Sequence, residues 1–445
     1  MRGEDMPSRT DRTVSRRRFL SAAGAALAGF GARSGVLSGR SGDKGAGGPA
    51  QPRIQAFRPL GRTGFRVSDI AFGSSYLTDP AILEAALDAG INYIDCAEVY
   101  LGGQVERTVG RVLTRRPRKS VFLTTKIVLR PGETRASVKS RALKCLDRLG
   151  LESVDCFMMH AAPTVAAVGS AAFHQAVSEL KAEGRVRFTG LSNHGSYYFD
   201  AEETMDKVVL AAAADGRFDI LTFAYNFLQR EMGERILAAC REKKLGAVVI
   251  KTNPVLNYLK VRGQVEARLK EGRRPEGQWT TLLGRLQALK EKAGPFLRGV
   301  AEGDTRAVRA AGLKYVLSEP GVSAACVSIG NTDDLRAFVE LSGRTLASSE
   351  ARLLGAYGRT LGRLYCRHAC GRCEALCPRG VPVNTIMRLA HYSGQGLAGL
   401  AAAEYAALPG PRAENCAACS GPCQEGCPHG VPVHGLLTLA HEDLA

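Results

Sequence analysis

Four ionisable side chains of different type fall close together in the pattern of the chain. Asp95 lies in the segment NYIDCA, where it ends the second expected strand, Tyr100 lies five residues on, Lys126 ends VFLTTK and His160 ends VDCFMMH. A carboxylate, a phenol, an ammonium and an imidazole can hold and pass protons, so together they suit proton transfer to or from a reacting oxygen. A second set is made of thiols. Of 13 cysteines, eight crowd into the last 80 residues as Cys366, Cys370, Cys373 and Cys377, then Cys416, Cys419, Cys423 and Cys427. Each group ends in Cys-Pro. The stretch from Cys377 to His391 parallels that from Cys427 to His441, an internal repeat of 50 residues with only Cys370 and Cys419 out of phase. Thiols so placed can hold iron–sulfur clusters or zinc, or pair as disulfides. Cys96, Cys145, Cys156, Cys240 and Cys326 sit in apolar patterns and read as small core residues.

The proton-handling residues lie in an alternation of strands and helices. Strand-like runs are VSDIAFG from Val67, NYIDCA from Asn92, VFLTTK from Val121 and VDCFMMH from Val154. FTGLSN from Phe188, ILTFAYN from Ile220, AVVIK from Ala247 and AACVSIG from Ala324 complete eight. Amphipathic helices such as Thr134 to Gly150 and Ser170 to Gly184 lie between them. Short apolar runs alternating with helices argue a parallel sheet, and eight units predict a closed (β/α)8 TIM barrel. An open doubly wound sheet is the other arrangement, but no G-x-G-x-x-G opens the first unit. In such a barrel, chemistry sits at the C-terminal strand ends, where Asp95, Lys126 and His160 fall. Residues 252–305 form an over-long connection after the seventh strand, holding the only tryptophan, Trp279. It reads as a lid, a docking surface for the C-terminal domain, or a plain helical decoration.

Composition sets the outer bounds. The chain has 445 residues, 45% of them hydrophobic and 23% charged, which excludes global disorder, collagen and coiled coil. No run of 18 uncharged apolar residues occurs, so a stable membrane span is not expected. The net charge is +17. The basic residues are scattered rather than striped with aromatics, which points to an anionic cofactor and away from nucleic acid.

The N-terminus, Ser15-Arg16-Arg17-Arg18-Phe19-Leu20 before the small-residue run Ser21 to Ala32, resembles a twin-arginine export signal. Residues 1–50 then read as signal and Gly/Ser-rich linker, and the resemblance implies a folded, exported protein. The cysteine groups resemble bacterial two-cluster ferredoxins, whose pattern is C-x2-C-x2-C-x3-C-P with the fourth cysteine serving the other cluster. By that resemblance Cys366, Cys370, Cys373 and Cys427 hold one [4Fe–4S] cluster, and Cys416, Cys419, Cys423 and Cys377 the other. Each motif departs by one extra residue. Residues 346–445 are thus expected to form a small, mostly α, ferredoxin-like iron–sulfur domain.

Residues 56 to 343 resemble an aldo/keto reductase. LGRTGFRVSDIAFGSS from Leu60, AGINYIDCAEVY from Ala89, LGLESVDCFMMH from Leu149 and EGRVRFTGLSNH from Glu183 carry the likeness. It implies a barrel over 51–345, an NADP or NAD cofactor and a small carbonyl or alcohol substrate. Tyr100 is then the general acid, Lys126 lowers its pKa, Asp95 holds Lys126, and His160 orients the carbonyl. Ser192 and Asn193 match residues that hold the nicotinamide carboxamide, and Gly73 and Ser74 match the first strand's end. Thr222 stands where many members carry Gln. Gly330 and Asn331 offer a helix N-terminus for phosphate, with Arg336 as a nearby cation. Two functions are implied. One is an exported oxidoreductase whose clusters relay electrons to a redox partner protein or serve structure. The other is an electron-transfer or binding module whose barrel does not turn over. Nicotinamide moves electrons in pairs and each cluster singly, so the two cofactors do not couple directly.

Overall fold

The computed structural model describes residues 52–195 and 203–445. The twin-arginine reading lies outside these residues. Eight parallel strands close into a barrel: β1 (Ile70–Gly73), β2 (Tyr93–Asp95), β3 (Phe122–Ile127), β4 (Val154–Met159), β5 (Val186–Asn193), β6 (Ile220–Ala224), β7 (Gly246–Ile250) and β8 (Ala324–Ser328). They follow in sequence order and β8 pairs with β1 through Ala325–Ile70 to Ser328–Gly73. β2, β3, β4 and β6 are buried along their whole length. One face packs in the barrel and the other under helices, so the runs are apolar without alternation.

Helices α1 (Pro80–Asp88), α2 (Gln104–Leu113), α3 (Arg135–Leu149), α4 (Ala171–Ala182), α5 (Met205–Asp215) and α6 (Arg230–Glu242) each follow a strand. Thr134 and Ser170 cap α3 and α4 by accepting backbone N–H groups, and Gly150 ends α3 in the left-handed region at φ 62°. α7 (Tyr258–Lys270) and α8 (Glu276–Ala293) fill the long connection before α9 (Arg306–Leu317). The expected first strand from Val67 divides. Arg66–Ser68 pairs with Phe57–Pro59 in a hairpin, and β1 starts at Ile70. Between them Asp69 is buried and accepts from Ser342 Oγ at 2.6 Å and Gly343 N at 2.8 Å. Satisfying that carboxylate fixes the bend that separates the two strands.

The hairpin plugs the barrel's N-terminal end with apolar groups. Leu60, Phe65 and Val67 pack with Tyr93, Phe122, Cys156, Ile220 and Val248, all at or near strand starts. Phe122 stacks between Tyr93 at 5.5 Å and Phe188 at 5.9 Å. The opposite end meets the C-terminal residues. After α10 (Thr332–Val339) and α11 (Ser348–Arg359) come α12 (Val383–Gly394), α13 (Ala398–Ala406) and α14 (Val433–Leu444). The sequence repeat gives matched helices, α12 and α14, starting at equivalent places after each Cys-Pro. Among the described residues no helix is long and apolar enough to cross a membrane.

The long connection is the surface on which α14 docks. Trp279 is fully buried and its Nε1 donates to Thr438 Oγ1 at 3.0 Å. Arg268 pairs with Asp443 at 3.1 Å and Arg273 with Glu442 at 2.8 Å. Gly435 lets the helices touch, since a Cβ there would lie 2.9 Å from that of Leu282. Trp279→Ala should therefore destabilise the fold by about 3–5 kcal/mol, and Trp279→Phe by about 1 kcal/mol for the lost hydrogen bond. Urea unfolding of both variants measures the difference.

Candidate active site

Three strand ends and one turn set the geometry at the barrel mouth. Lys126 is 2% exposed and Asp95 5%. Lys126 Nζ donates to Asp95 Oδ1 and to Cys96 O, both at 2.6 Å. Tyr100 opens a short turn in which Leu101, Gly102 and Gly103 take φ of 46°, 61° and 87°. That bend brings the phenol back over the mouth, where it donates to Asp95 Oδ1 at 3.4 Å. Lys126 Nζ lies 5.1 Å from the Tyr100 ring centroid, and the His160 ring meets Tyr100 edge-on at 5.8 Å. Asp95, Tyr100, Lys126 and His160 converge.

The electrostatics differ from the sequence expectation at one point. Burial, then the Asp95 carboxylate, pushes the Tyr100 phenol well up. Lys126 is turned to Asp95 and the Cys96 carbonyl, so it does not offset this. Burial, with Lys126 and Lys251 nearby, pulls His160 well down, so its imidazole is neutral. His160 Nδ1 and Asp95 Oδ2 are buried and have no hydrogen-bond partner among the described residues. Such atoms mark a place where a polar ligand completes the set.

The expected cofactor residues divide. Ser74 Oγ donates to Asp95 O at 2.5 Å, which ties the end of β1 to the site. At Gly73 a Cβ would lie 3.0 Å from Val327 O. Ser192 Oγ accepts from Ala161 N at 3.0 Å and keeps its own proton to donate. Asn193 Nδ2 donates to Ala162 O at 2.5 Å and its Oδ1 accepts from Gly195 N at 3.2 Å. Ser192 and Asn193 therefore lock β5 to the loop after His160. Thr222 is buried with its hydroxyl 3.8 Å from Met158 Sδ. Gly330 and Asn331 are exposed. Asn331 caps α10 by accepting from Asp334 N at 2.8 Å, and Asp333 and Asp334 in the first turn oppose a phosphate. Arg336 pairs with Glu340 at 2.9 Å.

Sequence reasoning missed the roof of the site. On either side of Cys366, Tyr365 and His368 reach the barrel. Tyr365 OH lies 2.6 Å from His368 Nδ1 and accepts from Asn226 Nδ2 at 3.3 Å. Gln229 Nε2 donates to His368 O at 2.8 Å and Gln229 Oε1 accepts from His368 N at 3.0 Å. From α12, Arg388 Nη1 donates to His194 O at 3.4 Å. The His391 ring lies 5.4 Å from Tyr365 and 5.6 Å from His368. Lys251, after β7, has φ 56° and points its ammonium at the Tyr392 ring, 4.6 Å away. The segment VIKTNP carried one signal, a lone lysine at a strand's C-terminal end.

The thiols fall into two groups of four. Cys366, Cys370 and Cys373 lie in the field of Cys427, while Cys416 and Cys423 lie in that of Cys377 and Cys419. Burial and this mutual crowding push Cys373 and Cys416 up to about 12 and Cys423 up to about 11. Cys377, Cys416, Cys419 and Cys423 line one small cavity. Backbone N–H groups of Val381 and Gly421 point at Cys377 and Cys419 sulfur at 3.3 and 3.4 Å. All eight are free thiols, and among the described residues no three His, Cys, Asp or Glu gather as ligands of a single ion.

Comparison with known proteins bears on the barrel. An aldo-keto reductase of Fusarium vanettenii is 26% identical over 239 residues, covering 43% of this chain and 62% of that protein. The NADH-specific methylglyoxal reductase of Escherichia coli is 28% identical over 237 residues, covering 44% of this chain and 66% of that protein. The chain spans about three-fifths of the length of the curated relatives it matches. The holo form of an aldo-keto reductase from Bacillus halodurans shares the fold at TM-score 0.50 and 24% identity, covering 68% of this chain and 96% of that one. The profile of the aldo/keto reductase family matches residues 74–356, and with the barrel and its four converging side chains in place the chain belongs to that family.

Proposed function

We propose that the protein is an oxidoreductase moving hydride between a nicotinamide cofactor and a small carbonyl or alcohol. The convergence of Tyr100, Asp95, Lys126 and His160 at one mouth carries this reading. Their fit to the cofactor rests on the orphaned His160 Nδ1 and Asp95 Oδ2 and the free Ser192 hydroxyl proton. A bound reduced nicotinamide supplies the hydride. As the carbonyl carbon gains that electron pair, the C=O π pair moves to oxygen and Tyr100 gives the oxygen its phenol proton. The raised pKa keeps the phenol protonated until then. His160, neutral, donates a hydrogen bond to the same oxygen, and Asp95 holds Lys126 in place beneath it. The acidic first turn of α10 favours NAD over NADP, as does the name of the Escherichia coli relative.

The proposal extends to the C-terminal residues. Two [4Fe–4S] clusters, one on Cys366, Cys370, Cys373 and Cys427 and one on Cys416, Cys419, Cys423 and Cys377, are supported by the donor chemistry and the crossed grouping of the thiols. Export by the twin-arginine route, after cofactors are inserted, and a redox partner protein complete the reading. Residues 51–345 and 346–445 act as barrel and cluster unit. The roof over the mouth favours a second reading, an electron-transfer module without turnover.

Two outcomes test these readings, and a third tests the burial of the histidines at the mouth. Tyr100→Phe should lower carbonyl reduction by about 10²-fold or more while NADH binding, read by calorimetry, stays unchanged; an unchanged rate removes Tyr100 as the acid. Purified protein should carry about eight irons per chain, and Cys427→Ala about four, with loss of the cluster served by Cys366 rather than its sequence neighbour. Stability should also depend on acid. His160, His194 and His391 are held below the usual 6.5 by burial, His391 at about 3. The unfolded chain takes up their protons below pH 6.5 and the folded chain does not. Stability should therefore be flat above that pH and fall below it, by about 1.4 kcal/mol per pH unit for each group. Urea midpoints at pH 7, 6 and 5 read this slope, which His391→Gln should reduce.

A further inference from the structure

The turn that carries Tyr100 needs outside support. Leu101, Gly102 and Gly103 follow one another in the left-handed region, where leucine stays only if its surroundings impose it. One helix supplies that support on both sides. α3 carries Arg141 and Arg148, seven residues apart, so two turns put them on the same face. Arg141 holds the chain before the tyrosine. Its guanidinium donates to both oxygens of Glu133 at 2.7 and 2.6 Å, to both oxygens of Glu98, and to Val128 O at 2.8 Å. Glu98 lies two residues before Tyr100, and its backbone N–H donates to Lys126 O at 3.0 Å. Val128 lies two residues beyond Lys126, and its N–H donates to Glu98 Oε1 at 3.3 Å. The side chains of Arg141, Glu98 and Glu133 are 12%, 13% and 8% exposed, so little water competes for these bonds. Arg148 holds the chain after the tyrosine. Its stem lies against Gly103, where a Cβ would come within 2.7 Å of Arg148 Cδ. Its Nε donates to Glu106 Oε2 at 2.5 Å, and Glu106 Oε1 accepts at 2.6 Å from Oγ1 of Thr125, the residue before Lys126. Both arginines thus run from the Tyr100 turn to a residue flanking Lys126.

We infer that Arg141 and Arg148 form a clamp that positions the Tyr100 phenol against the Lys126–Asp95 pair. This rests on the reductase reading and adds two positioning residues to it. Proton transfer in step with hydride arrival needs the phenol oxygen within hydrogen-bond reach of the carbonyl oxygen, and a misplacement of about 1 Å can cost about 10²-fold in rate. The phenol itself rests on Asp95 Oδ1 at 3.4 Å, a long hydrogen bond that fixes little alone. The backbone of the turn must therefore supply the placement, and it is joined to β3 on both sides of Lys126. The planar fork of arginine suits the task, because Arg141 answers two carboxylates and a carbonyl at once, where a lysine would offer only a point charge.

The full-length protein, as purified, is assayed for benzaldehyde reduction by NADH in variants that keep charge or shape: Arg141→Lys, Glu98→Gln and Arg148→Lys. Each should lower kcat about tenfold or more, with KM for the aldehyde and NADH affinity by calorimetry within about twofold. Glu98→Gln combined with Arg141→Lys should cost no more than the costlier single change, since the arginine acts through the glutamate. Added to Tyr100→Phe, none should lower the residual rate further, because the acid they position is gone; a merely structural defect would lower it again. 19F NMR of protein labelled with 3-fluorotyrosine reads the phenol directly. The Tyr100 signal, identified by its loss in Tyr100→Phe, should shift or broaden in Arg141→Lys and in Arg148→Lys. It should stay in place in Arg217→Met, whose partner Asp215 lies at the end of α5. Retained kcat, a loss that persists without Tyr100, or a Tyr100 signal that ignores both arginines overturns the inference. A moved signal in a protein that reduces no aldehyde upholds the clamp while removing the reductase reading.

Discussion

The Lys126–Asp95 ion pair is the constraint around which the mouth is arranged. Two charges with almost no exposure have left water, and a pair alone rarely recovers that cost. Here the geometry is completed by a third group, the Cys96 carbonyl, which takes a second ammonium proton. The pair can exist only because β2 and β3 are neighbours in register, with Asp95 opposite Thr124 and Lys126 two residues further on. Tyr100 and His160 are then placed by what the pair leaves open. The phenol hydroxyl leans on the same Asp95 oxygen, and burial, with the Lys126 ammonium nearby, keeps the imidazole neutral. Removing either charge would strand the other and rewrite both neighbours.

The two ends of the barrel show opposite physical solutions. The N-terminal end is sealed by a hairpin whose Leu60, Phe65 and Val67 meet a stack of aromatic rings. Nothing polar is needed there, and dispersion and burial suffice. The C-terminal end is covered by residues 139 to 194 positions downstream, yet the contact is largely polar: Tyr365 to Asn226, His368 to Gln229, Arg388 to His194. A polar roof with several unfilled donors and acceptors holds its place through a few directed bonds.

Much of this was legible in the residues. Each expected strand run appears in the barrel because parallel strands buried on both faces must read as unbroken apolar runs. The four proton-handling side chains could be picked out because each ends such a run or lies just beyond one. Three features could not be read. Asp69 splits the first run because its carboxylate finds Ser342 and Gly343 nearly 275 residues away. The Tyr100 phenol is pushed upward by its burial and by the Asp95 carboxylate, surroundings that spacing does not encode. The roof assembles from His194, Lys251, His368, Arg388 and His391, which belong to four distant segments, and no period or motif joins them.

The repeat explains how a helical tail can serve such a roof. A 50-residue duplication yields two Cys-Pro turns leading into two helices of like length, α12 and α14. Packed together, the copies have diverged by the surface each meets. α14 keeps Gly435 and Thr438 for close approach to Trp279 and Leu282 on the inserted α8. α12 turns Arg388, His391 and Tyr392 to the barrel mouth. One copy thus anchors the unit and the other furnishes the site. The first cysteine group precedes α12 in the chain, with Cys366 beside the Tyr365 and His368 that touch the barrel. The first thiol group is therefore mechanically coupled to the roof through the short segment from Tyr365 to His368. A cluster held there would fix these donors over the mouth whether or not electrons ever crossed from sulfur to substrate.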